Sequence, residues 1–161
     1  MKILIVYDTK YGNNKQIAEF IAEKLRNATD EVRVHYAKDI SHKQAFEFHP
    51  DIFLFGGPIR AGMVSFTIKR WASHFAGLLT KNGITLAKAA VWATHGVFTS
   101  DTPERFAWKN VARKWEALFG KVPASKKLPG VTDVSVGGME GPLEVDWQVK
   151  INEFIAKVTN L

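Results

Sequence analysis

Short apolar runs and helix-like stripes take turns along the whole 161-residue chain, and this alternation constrains the fold more than any other feature. Lys2 to Tyr7 is nearly continuous in Ile, Leu and Val, the composition of a strand buried on both faces. Ile17, Ile21 and Leu25 then fall four apart with Phe20 alongside, the stripe of an amphipathic helix. Val32, Val34 and Tyr36 alternate with polar residues, so that strand is expected to be less buried. Asp51 to Phe55 is another apolar run, ending abruptly at Gly56-Gly57-Pro58. Ile68, Trp71, Ala72, Phe75, Leu78 and Leu79 share one helical face, and Ala87 to Thr94 reads as a third central strand. Thr102-Pro103 has the form of an N-cap followed by proline at the first helical position. The helix it opens carries Trp108, Val111, Ala112, Trp115, Leu118 and Phe119 on its apolar side, with Gly120 as its stop. Val131 to Val136 is the last strand. Trp147, Ile151, Phe154, Ile155 and Val158 form the face of a C-terminal helix. Ser41 to Phe48 is too short and irregular to be assigned a helix.

Five strands interleaved with helices predict an α/β fold, a parallel sheet covered on both faces, in one domain over 1–161. No internal repeat breaks the pattern. Ligands of such sheets bind beyond the carboxyl ends of the strands, where the strand order reverses. Function is therefore sought in the loops after Tyr7, after Phe55 and after Thr94.

Composition removes several chemistries. The chain has no Cys, hence no disulfide, zinc-thiolate site, Cys-ligated iron–sulfur cluster or catalytic thiol of its own. Redox chemistry would have to come from a bound cofactor. The 46% hydrophobic and 24% charged fractions are those of a globular domain. No apolar run approaches the roughly 20 residues of a membrane span, and Ile3 to Tyr7 is too short for a signal-peptide core. A cytoplasmic protein without a transmembrane segment is expected, with loose contact to a membrane surface left open. The net charge of +6 is concentrated: Arg105, Lys109, Arg113, Lys114, Lys121, Lys126 and Lys127 stand against Glu116 alone. That window is either a solvated helix face or a docking face for an acidic partner. Nucleic acid is not expected, because the aromatics there lie on the helix's apolar side and offer no stacking platform.

The first loop reads Asp8-Thr9-Lys10-Tyr11-Gly12-Asn13-Asn14-Lys15, between a strand and a helix. A helix start offers unpaired N–H groups and a positive dipole end. Thr9, Asn13 and Asn14 add side-chain donors, and Gly12 allows close approach. On the residues alone, the loop either holds a phosphate or simply caps its helix. It matches neither the G-x-x-x-x-G-K-[ST] nor the G-x-G-x-x-G pattern. The second loop, Gly56-Gly57-Pro58-Ile59-Arg60-Ala61-Gly62-Met63, brings backbone up to a flat ligand with no side chain in the way. Arg60 is either a solvated residue or a fixed positive charge. The third loop reads Thr94-His95-Gly96-Val97-Phe98-Thr99-Ser100, where Phe98 and His95 offer π-faces and His95 can equally be an ordinary strand-end residue. His35, His42, His49 and His74 show no metal-ligand spacing. Trp71, Trp108, Trp115 and Trp147 sit at helical spacing and read as core.

Val6-Tyr7-Asp8-Thr9-Lys10-Tyr11-Gly12-Asn13-Asn14, followed by Ala18, resembles the FMN-phosphate signature of the flavodoxins. Asn14 departs from it, standing where that family carries Thr. The resemblance implies a short-chain, flavodoxin-like, three-layer doubly wound five-stranded parallel sheet of order 2-1-3-4-5. It implies FMN held non-covalently by Thr9, Lys10, Tyr11, Gly12, Asn13 and Asn14 at the phosphate. Pro58, Ile59, Arg60, Ala61, Gly62 and Met63, with Thr94, His95, Gly96 and Phe98, would flank the ring. Gly62 or its adjoining peptide is then the candidate for a carbonyl that turns to the flavin N5. The implied function is electron transfer to a redox partner protein. Pro58-x-Arg60-x-Gly62 is also similar to the loop of flavodoxin-like quinone reductases, and related to that of protoporphyrinogen-oxidising relatives. A flavodoxin-fold binding module without FMN is the third alternative. Typical flavodoxins are acidic and this chain is basic, so its partner is expected to be acidic and to dock on the Arg105–Lys127 region.

Overall fold

In a computed structural model, residues 1–27 and 30–161 are described. In chain order the elements are β1 (Lys2–Tyr7), α1 (Asn13–Leu25), β2 (Glu31–Tyr36), α2 (His42–Glu47), β3 (Ile52–Arg60), β4 (Met63–Val64), α3 (Phe66–Lys81), β5 (Leu86–Gly96), a 3₁₀ turn (Glu104–Phe106), α4 (Trp108–Gly120), β6 (Ala124–Lys127), β7 (Thr132–Val136) and α5 (Trp147–Thr159). The sheet runs β2-β1-β3-β5-β6, with β7 also on β5 and β4 on β3. Every pairing is parallel except β3 with β4. This is the expected doubly wound order, with the outermost position shared by two strands. β6 pairs with the first part of β5, from Leu86↔Ala124 to Ala89↔Lys127, and β7 with the second, from Trp92↔Thr132 to Gly96↔Val136. Between them Pro129 has no N–H for the ladder, and Gly130 adopts a φ of 75°.

Side-chain alternation sorts the core into two layers. On β3, Phe53 and Phe55 face α2, α3 and α4, where they meet Phe75, Trp115 and Phe119. Ile52 and Leu54 face α1 and α5, with Ile17, Ile21, Trp92 and Phe154. The central strands are buried on both sides, whereas β2 alternates between exposed and half-buried residues, as its sequence predicts. Trp71, Trp115 and Trp147 are buried and Trp108 half-buried. No helix among the described residues is long and apolar enough to cross a membrane.

Four sequence expectations are corrected. Ser41 to Phe48 does contain a helix: Ser41 accepts from the Gln44 N–H, and the Gln44 side chain accepts from the Ser41 N–H. That capping box stabilises a helix too short to show periodicity. Pro103 opens the 3₁₀ turn instead of α4, which begins at Trp108. Gly120 is the last residue of α4 and does not stop it; Lys121 caps it in right-handed geometry, and Pro123 follows. β3 does not end at Phe55 but runs through Gly56-Gly57-Pro58 to Arg60, because β5 continues beside it, pairing Gly56↔Trp92 and Pro58↔Thr94.

Candidate cofactor site

β1, β3, β5 and β7 end at the same edge of the sheet, so their following loops converge. At the end of β1 the Asp8 N–H donates to the Gly56 carbonyl at 3.0 Å, and the buried Asp8 carboxyl accepts from the Ser65 hydroxyl. The chain then turns through Gly12, with a φ of 92° that favours glycine. Its N–H is held by Thr9 Oγ1 at 2.9 Å. Thr9 thereby shapes the turn and does not cap the helix. No side chain caps α1, and its first turn has no acidic residue. The dipole end and N–H groups of α1 therefore open onto the loop.

Asn14 works differently from the sequence expectation. It is buried, its Nδ2 donates to Thr94 Oγ1 at 2.8 Å, and its Oδ1 accepts from the Trp92 indole at 3.0 Å. Its side chain ties α1 to β5, leaving its backbone N–H for the loop. The same indole explains Gly56: a Cβ there would lie 2.1 Å from Trp92 Cε2. Space read from the sequence as an approach for a flat ligand is filled by tryptophan.

The second loop is a hairpin. Ile59 pairs with Val64 and Arg60 with Met63, and the two residues between them, Ala61 and Gly62, have φ of 49° and 69°. Positive φ at both positions marks the primed turn that matches strand twist. A Cβ on Gly62 would lie 2.4 Å from Phe106 Cδ1. The Gly62 carbonyl accepts from Lys114 Nζ at 2.7 Å, and Nζ also lies 3.2 Å from Met63 Sδ. The carbonyl assigned to a switch from the sequence is thus fastened to α4.

In the third loop, His95 is only 7% exposed. Its Nε2 lies 2.9 Å from Asp133 Oδ2 and its Nδ1 lies 2.6 Å from the Gly96 carbonyl. Phe98 stacks on the His95 ring at 4.3 Å, and Trp108 lies at 5.1 Å.

These loops enclose a cleft of about 440 Å³, within the range of small-molecule sites. Thr9, Lys10, Tyr11, Asn13, Asn14, Pro58, Ile59, Arg60, Thr94, His95 and Gly96 line it. Gly12, Ala61, Gly62, Met63 and Phe98, also singled out from the sequence, are not in its lining. Gly12 shapes the turn, the hairpin tip packs on Phe106 and Lys114, and Phe98 lies against His95. Val136, Gly138 and Met139 complete the wall from the loop after β7, a fourth strand end that the sequence reading passed over. Tyr11 reaches Met139 Sδ at 3.5 Å and Asn13 donates to the Glu140 carbonyl at 3.3 Å. The signal was available: Gly137-Gly138-Met139-Glu140-Gly141-Pro142 is glycine-rich and follows the last strand. An uncapped helix start, cationic Lys10 and Arg60, and ring or aliphatic walls from Tyr11, Ile59 and His95 fit a mononucleotide carrying a flat ring.

A flavodoxin-domain family model matches residues 4–128. A flavodoxin of Aquifex aeolicus (strain VF5) is 32% identical over 77 residues, covering 47% of this chain and 40% of that protein. The chain thus matches less than half of that relative's length. Among solved structures, oxidised flavodoxin 2 from Bacillus cereus is similar with a TM-score of 0.71 at 18% identity, covering 99% of both chains. The rubredoxin oxygen:oxidoreductase of Desulfovibrio gigas is similar with a TM-score of 0.66 at 16% identity, covering 99% of this chain but 35% of that one. The structures bear on the fold alone. The family model reaches from the first strand to the sixth, over the loops that build most of the cleft, and on that ground the chain belongs to the flavodoxin family.

Proposed function

We propose that the chain, acting as one domain over 1–161, holds FMN non-covalently in this cleft and carries electrons to a redox partner protein. The observation that carries the reading is the α1 start, uncapped and without an acid in its first turn, at the edge of a cleft of mononucleotide size. The backbone of Thr9 to Asn14 would hold the phosphate, with Lys10 adding charge. Tyr11, Ile59 and His95 would flank the ring. Arg60, exposed at the cleft, would favour added negative charge on it. FMN supplies the electron-accepting ring, and the protein sets its binding, environment and access.

The test is incubation with FMN, desalting and a visible spectrum, for the wild type and Asn13→Asp. Retained flavin in the wild type, with at least tenfold weaker binding in the variant, is expected, since a carboxylate at the helix start opposes a phosphate. Wild-type protein that leaves the column colourless overturns the reading in favour of a binding module.

The basic window supports an acidic partner, but not with all seven residues. Lys114 is committed to the Gly62 carbonyl, and Lys127 donates to the Phe119 and Gly120 carbonyls at the end of α4. The remaining exposed basic residues of α4 are then Lys109 and Arg113, the former 3.3 Å from Glu104. Lys109→Glu with Arg113→Glu is expected to slow electron transfer to an acidic partner and flatten its dependence on salt. Rates unchanged in both respects overturn the docking face. Exposed Arg60 at the cleft also supports a second reading, turnover of a quinone or porphyrinogen, which a steady-state assay with either substrate distinguishes.

A further inference from the structure

From Ile52 to Ser100 the chain carries no Asp or Glu, while Arg60, Lys69 and Arg70 fall within that stretch. The fold gathers these charges around two exposed apolar side chains, Met63 on β4 and Phe66 at the first position of α3. Phe66 is 74% exposed and Met63 46%. The exposure of Phe66 is built into the helix start. The Ser65 N–H donates to the Pro58 carbonyl at 3.1 Å and its hydroxyl donates to the buried Asp8 carboxyl, which pins the chain there, and Ile68, Trp71 and Ala72 take the inner face of α3. Phe66 is left outside. Lys69 and Arg70 follow it three and four residues on, so they are its neighbours on the helix surface, and both are exposed. Met63 stands three residues before Phe66, so their Cα atoms are within about 11 Å of each other. Arg60 pairs with Met63 across the hairpin, and Lys114 Nζ lies 3.2 Å from its sulfur. The Arg105 guanidinium covers the ring of Phe106 at 4.7 Å, and that ring packs on Gly62 at the hairpin tip. The acidic side chains of the adjoining elements do not offset these charges. Asp8 is buried, Glu104 lies 3.3 Å from Lys109, and Glu116 is two positions from Lys114, so the two do not share a face of α4.

We propose that this face, centred on Phe66 and Met63 and rimmed by Arg60, Lys69, Arg70 and Arg105, docks an acidic protein, with Phe66 as its apolar anchor. Aromatic, Met and Arg side chains are the ones enriched at the centres of protein interfaces, and a rim of one sign selects a partner surface of the other. Two apolar side chains offer little to insert into a bilayer, where binding scales with the apolar area buried, so the composition favours a protein. Arg60 lines the cleft as well as this face, so a partner seated on Phe66 stands at the mouth of the cleft. That this partner is the one exchanging electrons with FMN rests on the cofactor reading; the surface itself does not. Lys121 and Lys126 belong to the opposite end of the sheet, where β6 pairs with the start of β5, and take no part.

The probe is an acidic [2Fe–2S] ferredoxin, titrated into ¹⁵N-labelled protein with and without FMN. Amide shifts are expected to cluster over residues 60–70 and around Arg105. Phe66→Ser, and separately Lys69→Glu with Arg70→Glu, are each expected to weaken binding by about tenfold or more. Circular dichroism and the urea midpoint are expected to stay unchanged, since all three side chains are exposed. Lys121→Glu with Lys126→Glu alters the net charge equally at the far end of the sheet, and is expected to weaken binding less than about twofold in 0.15 M salt. No binding, binding unaltered by Phe66→Ser, equal losses in the two charge-reversed pairs, or shifts clustered elsewhere each overturn the proposal. Sedimentation of the wild type, but not of Phe66→Ser, with phosphatidylserine vesicles, while ferredoxin leaves the spectrum unmoved, assigns the face to a membrane and overturns it as well. Wild-type protein that binds ferredoxin through this face yet loses FMN on desalting upholds the docking surface and overturns the cofactor reading alone.

Discussion

Trp92 lies between β5 and α1, and two neighbours have the side chains they do because of it. Gly56 makes room for its indole ring, and Asn14 accepts its N–H. Gly56→Ala forces a methyl group into a fully buried ring and is expected to cost about 3 kcal/mol, at the upper end of overpacking penalties, read as a lower urea midpoint. Asn14→Ala leaves the Trp92 indole N–H and the Thr94 hydroxyl without this partner in buried surroundings. A loss of about 1–3 kcal/mol is expected in the same measurement. On the proposed FMN reading, affinity for that cofactor should change much less, because the α1 backbone remains. Neither role was readable from the sequence. Gly56 stands beside Gly57 and Pro58, which suggests ligand access. The indole that fills the space belongs to a strand reached only after α3.

Between residues and the whole fold stands the β3–β4 hairpin, joined to α4 through Lys114. The ammonium holds the Gly62 carbonyl at 2.7 Å, so any motion of that peptide must first break a charge-assisted hydrogen bond. Lys114→Met is expected to raise amide hydrogen exchange over residues 61–64 severalfold while changing the urea midpoint little, since Lys114 is itself an exposed residue and the core contacts of Val64 remain. Unchanged exchange would show that Phe106 packing alone fixes the tip. Legibility varied among the elements. The long stripes of α1, α3, α4 and α5 were plain because each repeats its apolar face over several turns. α2 was legible only through the Ser41-x-x-Gln44 capping box, a signal of chemistry instead of period. The split between β6 and β7 is marked locally by Pro129-Gly130, but Ala-Ser-Lys-Lys has no apolar pattern to announce a strand.

For the whole molecule, buried or paired titrating groups set the response to acid. His35 resists protonation through burial and, next, the nearby charge of Arg33, so its folded value lies below 6.5. The unfolded chain then binds more protons, and stability falls as pH drops below about 6.5. Glu144 would be raised by burial alone, yet Lys150 and the Ser135 N–H together hold it below 4.5; Asp133 is held below 3.8 mainly by His95. Their contributions are present above those values and are lost as pH falls through the lower folded ones. A urea midpoint that declines in two stages is expected, the first reduced in His35→Gln. A midpoint that rises on acidification would contradict it.

The sequence by itself determined what depends on neighbours along the chain: the alternation of strands and helices, hence a doubly wound sheet, and a loop of Thr, Gly and Asn residues between the first strand and the first helix. Eleven of the residues it singled out line one cleft, because the ends of parallel strands bring their loops to a common edge. Only the tertiary structure decided the partners. Asn14 bonds Thr94 and Trp92, Lys114 takes the Gly62 carbonyl, Asp133 takes His95, and a glycine-rich segment after β7 closes the wall. Local periodicity fixes which face of an element is apolar. Which polar atoms then meet depends on register and packing between elements distant in sequence.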